Sequence, residues 1–98
     1  MAQYDVYLGE NNALWLDVQS DLVNDLNTRI IVPLLPANTA PKPARRLNPI
    51  FEIKGKSYVC VPQFLSAIPV SQLSNVVSNL SANRDDITVA LDMIFHGF

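Results

Sequence analysis

The spacing of the apolar residues changes once along this chain, and the change restricts what the chain can fold into. Up to about residue 61, apolar positions alternate or run in short β-branched blocks. Beyond Asn83 they recur at Ile87, Ala90, Leu91, Ile94, Phe95 and Phe98, every third or fourth residue. A period of two lays one face of a strand on a core, and a period near 3.6 lays one stripe of a helix there. The pattern predicts an antiparallel, barrel-like β domain followed by one C-terminal helix, α+β in class and a single domain over residues 1–98.

The strands can be placed from their punctuation. Tyr4, Val6 and Leu8 alternate with Asp5 and Tyr7, "GENN" (9–12) supplies turn residues, and "ALWLDV" (13–18) completes a hairpin. "QSDLVNDLNT" (19–28) is polar and reads as a loop, with Leu22 and Val23 either tucked into the core or exposed as a contact patch. "RIIVPL" (29–34) is a central strand whose Pro33 relegates the far end to an edge or a bulge. Residues 35–49 carry Pro36, Pro41, Pro43 and Pro49 and form a surface connection, either a plain crossing of one end of the barrel or a partner-binding loop. "IFEIKGKSYVCV" (50–61) is a hairpin turning at Lys54-Gly55-Lys56. A turn and a short strand around Ile68–Ser71 follow. Asn83 is placed as helix N-cap, Asp85 and Asp86 suit the positive end of the dipole, and Gly97 ends the helix.

Only 16% of the 98 residues are charged, against ~25% in typical soluble domains, while 49% are hydrophobic. A small domain with so few charges leaves apolar surface uncovered, and a homodimer is expected. The net charge of −2 and the lack of any basic run beyond Arg45-Arg46 argue against nucleic-acid binding by this chain alone. A single cysteine, Cys60, fits a reducing compartment. The first ten residues lack the basic and apolar regions of a signal peptide, and no apolar run reaches the ~18 residues of a membrane span. A cytoplasmic protein with no membrane association is expected.

Chemistry is sparse. One cysteine and one histidine cannot complete a structural zinc site, and three scattered glycines make no phosphate loop, so no metal and no cofactor is expected. Cys60 in "YVCV" reads as a small buried hydrophobe rather than the partner of His96. Asp85 and Asp86 are adjacent on a helix and point apart, as a solvated first turn. His96 has Asp92 four residues before it, a pairing that more often stabilises a helix end than performs acid–base catalysis. No catalytic residue is assigned and the chain is read as a non-enzyme; an interaction surface remains.

Three stretches resemble the CcdB family, the toxins of ccd-type toxin–antitoxin modules. "LDVQSDLVNDLNTRIIVPL" (16–34) is similar to its N-terminal half, "AIPVSQL" (67–73) to its second signature, and "NLSANRDDITVALDMIFHGF" (79–98) to its C-terminal helix and tail. The resemblance implies an SH3-like barrel of the CcdB/MazF type with a C-terminal helix, and a homodimer. It implies a poison of DNA gyrase that traps the cleaved-DNA complex through the gyrase A subunit and does no chemistry of its own. It further implies neutralisation by a CcdA-like antitoxin with a disordered C-terminal tail, and operator DNA bound only through that antitoxin. Carried over by position, the gyrase-binding residues are Leu22 and Val23 in the loop and Asp92, Phe95, His96, Gly97 and Phe98 at the helix end. The family's tryptophan stands where this chain has His96, its asparagine at Asp92 and its isoleucine at Phe98. The alternatives are a degenerate relative that keeps antitoxin binding without poisoning gyrase, and an mRNA interferase using Ser20, Arg29, Arg45, Arg46 and His96.

Overall fold

The computed structural model describes residues 2–97. Seven strands form one antiparallel sheet: β1 (Asp5–Leu8), β2 (Leu14–Asp17), β3 (Thr28–Pro36), β4 (Ile50–Ile53), β5 (Lys56–Cys60), β6 (Ser66–Pro69) and β7 (Val76–Asn79). Their order is β4-β5-β3-β2-β1-β7, and β6 also pairs with β3. The sheet curls into a half-barrel, and the helix α1 (Arg84–His96) packs Ile87 into its core beside Val6, Leu16, Val32 and Leu34. No helix among the described residues is long and apolar enough to cross a membrane.

Both predicted hairpins form. β1 and β2 pair with Tyr7 opposite Trp15, and β4 and β5 pair with Phe51 opposite Tyr58. Lys54 and Gly55 both take positive φ, 52° and 81°, the pair of left-handed residues that a two-residue hairpin turn demands.

β3 differs from the expectation at Pro33. The strand runs through the proline to Pro36, pairing with β2 on one side throughout. On its other side the partner changes: β6 pairs with Thr28–Ile31, and β5 pairs with Leu34–Pro36. The Pro33 carbonyl accepts from the Val61 amide at 3.0 Å, so its donor-less nitrogen faces the gap between the two partners. Pro33 therefore interrupts no ladder and creates no edge.

The short strand after Pro62 lies at Ser66–Pro69 rather than at 68–71, because its pairing stops where β3 stops, with Pro69 opposite Thr28; residues Val70–Gln72 turn away as a 3-10 turn. β7 was not anticipated. The exposed edge of β1 supplies its ladder, and Leu80 N–H extends it to the Tyr4 carbonyl at 2.9 Å.

At the helix start Asn83 occupies the cap position, but its side chain makes no cap bond. The carboxamide of Asn79 accepts from the Ser81 amide at 2.9 Å instead, capping the 3-10 turn that leads into the helix. Gly97 ends α1 in the left-handed conformation, φ 77°, with its N–H on the Met93 carbonyl.

Cys60 is fully buried, and burial pushes its thiol up to about 12. Only the thiolate attacks a disulfide reagent. The native protein is expected to leave such a reagent unreacted at neutral pH and to consume one equivalent on denaturation. Rapid labelling of the native form would show that β5 opens locally.

Candidate functional site

The loop between β2 and β3 is built on a buried polar network. Asp17 closes β2 and Arg29 opens β3, and both side chains are withdrawn from solvent. The Arg29 guanidinium donates to both Asp17 carboxylate oxygens, at 2.7 and 3.0 Å, and to the Asn24 carboxamide oxygen at 2.6 Å. A longer contact reaches the Gln19 carbonyl at 3.4 Å. Burial pushes the Asp17 carboxyl up, against the downward pull of its hydrogen bonds to Arg29 and to the Gln19 amide.

Gln19 joins this network to the loop. Its side-chain oxygen accepts from the Ile30 amide at 3.1 Å, and its side-chain nitrogen donates to the Val23 carbonyl at 2.8 Å. Ser20 accepts from the Leu22 amide at 3.1 Å, starting a 3-10 turn over Asp21–Val23. Backbone groups on both sides of Leu22 are thereby tied down, while the Leu22 side chain is 96% exposed. Val23 and Leu26 are about half exposed. Of the two readings of Leu22 and Val23, the exposed contact patch is the one observed.

The helix end presents a second apolar feature. Ile87 and Ala90 are buried and Leu91 and Ile94 partly so, but Phe95, which continues their stripe, is 62% exposed. The stripe therefore leaves the core before the helix finishes. Asp92, His96 and Gly97 are exposed, and no hydrogen bond or ion pair joins Asp92 to His96 among the described residues. Phe98, also expected at this site, lies outside the described residues. The structure thus gathers Leu22 with Val23, and Phe95 with His96 and Gly97, with no hydrogen bond between the two groups.

The residues considered for catalysis are not assembled. Arg29 is buried against Asp17, and Ser20 is engaged by the Leu22 amide. Arg46 lines a groove with Asp86 and Val89, in the first half of α1. At 1.5 Å per residue, His96 lies roughly 10 Å further along the helix axis than Val89. A cavity of about 760 Å³ opens at the opposite end of β2 and β3 from the Leu22 loop, rimmed by Asn11, Asn12, Asn38, Thr39 and Lys56 over Leu14 and Tyr58. Neither a histidine nor a carboxylate lines it, so it holds no acid–base pair. No group of three potential metal ligands occurs among the described residues.

Sequence reasoning located the exposed loop pair and the helix end, but not the polar mount. The signal was present: an aspartate, a glutamine and an arginine flanking a loop at strand ends, in a chain with few charges.

Comparison with known proteins accords with this architecture. The family model described as CcdB protein matches residues 3–97. Among solved structures, an endoribonuclease in complex with its cognate antitoxin, from Mycobacterial species, superposes with a TM-score of 0.76 at 18% identity, covering 97% of this chain and 94% of that one. At that identity the likeness is one of fold.

Proposed function

The chain belongs to the CcdB family of toxin–antitoxin toxins, and from that premise we propose that it binds the DNA gyrase A subunit and traps the cleaved-DNA complex. The observation that carries this reading is the exposure of Leu22 and Phe95, apolar side chains held out on ordered elements at the family's contact positions. Exposed aromatic and aliphatic anchors of this kind supply most of the energy of protein interfaces. In this reading the protein acts as a homodimer, so that two helix ends meet one gyrase A dimer. A CcdA-like antitoxin neutralises it through a disordered tail and carries the pair to operator DNA. It performs no chemistry itself, which the separation of Arg29, Arg46 and His96 supports.

His96 favours a second reading. It stands at the family's tryptophan position, and an imidazole offers a smaller, more polar contact than an indole. A relative that binds antitoxin without poisoning gyrase would show this change.

One assay separates the two. Gyrase, supercoiled plasmid and excess toxin are incubated and then treated with detergent and protease. Linear DNA is expected with the wild-type protein. Its absence, together with its appearance for the His96→Trp variant, would favour the antitoxin-binding relative. RNA cleavage by the purified protein, lost in His96→Ala, would replace both readings with an interferase.

A further inference from the structure

Charge is distributed unevenly around the Leu22 loop. The first 28 residues contain no lysine or arginine, yet they hold Asp5, Glu10, Asp17, Asp21 and Asp25. The first cation in the sequence, Arg29, is buried and matched by Asp17, so it offers nothing to an incoming partner. The loop surface therefore carries two uncompensated aspartates, Asp21 and Asp25, on either side of Leu22 and Val23. Leu26, next in line, is 54% exposed, and its amide lies 3.4 Å from the Val23 carbonyl, which holds it in the same turn.

We infer that Asp21–Leu26 is a preformed docking finger for an apolar recess rimmed by lysine or arginine on the partner protein, with Leu26 a further anchor and Asp25 a steering charge. The inference rests on the proposed gyrase reading, and the occupant is the gyrase A subunit. The acidic loop supplies the complementarity: a partner surface that is acidic or neutral would gain nothing from Asp25, whereas a basic rim would be drawn to it. The Gln19 and Ser20 bonds fix the backbone of the turn before contact, so little ordering remains to be done on binding. Rim charges act chiefly on association rate and salt dependence, and buried apolar anchors on dissociation rate.

The test uses immobilised gyrase A subunit and full-length toxin variants, with thermal unfolding of each variant as control. Asp25→Lys is expected to slow association about tenfold at ~10 mM salt, where charges act over about 30 Å, and to approach wild type at ~1 M, where they act over about 3 Å. Leu26→Ala is expected to speed dissociation roughly fivefold or more at either salt, while Leu26→Met stays near wild type. If the wild type binds, Phe95→Ala weakens it, and both loop variants match wild type, the finger is overturned and the gyrase reading stands. If the wild type does not bind gyrase A at all, both fall. A loss in Asp25→Lys that is the same at every salt would overturn the steering role.

Discussion

A chain ending at His96 is expected to lose growth arrest and the trapping of linear DNA while keeping its fold. Gly97 and Phe98 lie beyond the last helical residue, and Ile87 and Ala90, which seat the helix, are more than a turn away. What truncation removes from the fold is the Gly97 amide bond to the Met93 carbonyl, a single terminal hydrogen bond of about 1 kcal/mol or less at an exposed end. What it removes from the proposed interface is larger. Gly97 in its left-handed conformation turns the chain out of the helix and so directs whatever follows it, and an anchor at an interface centre commonly contributes 2 kcal/mol or more, over tenfold in affinity. In a two-fold assembly the loss is incurred at both helix ends. Plasmid linearisation and colony counts would report the activity. Thermal unfolding within about 4 °C of wild type and co-elution with the antitoxin would report the fold. A truncated protein that still traps cleaved DNA would place the contact elsewhere.

The parts of this architecture that were legible in sequence are those specified locally. The Lys54-Gly55 turn needs only two residues that tolerate positive φ between apolar strands, and α1 needs only its repeat of apolar residues and a terminal glycine. β7 was hidden because "VVSN" carries little pattern of its own and is a strand only where β1 offers an unpaired edge. Pro33 misled for the opposite reason: a proline is costly in a ladder, but the cost depends on whether a partner faces its nitrogen, and here β3 changes partners at that point. The candidate site divides in the same way. Leu22 and Val23 stood out as apolar residues in a polar loop, whereas the choice between buried and exposed depended on Gln19 and Arg29, whose roles are settled by contacts ten or more residues away in sequence.

Asp17→Asn is expected to be the most destabilising conservative change in the protein, by about 3–5 kcal/mol, because it leaves Arg29 charged and buried without its carboxylate. Asparagine keeps the shape and one acceptor oxygen, so the loss is of charge rather than of packing. For a domain of this size each kcal/mol moves the melting temperature by about 4–8 °C, which places the shift at about 12–40 °C. Total stabilities of ~5–15 kcal/mol leave little reserve against such a change, and the variant is expected to be temperature-sensitive in cells. The pair itself need not be a net source of stability, since desolvating two charges offsets much of their attraction. Replacing both, as Asp17→Leu with Arg29→Met, is therefore expected to recover most of the melting temperature. It does not restore the mount: the Asn24 carboxamide and the Gln19 carbonyl lose the guanidinium that joins them, and the Leu22 loop is freed at that side. The double variant should fold, bind antitoxin and bind gyrase A more weakly than wild type, separating the network's contribution to stability from its contribution to docking. A melting temperature for Asp17→Asn within about 4 °C of wild type would show that solvent reaches Arg29 and that the loop is not anchored by a buried charge.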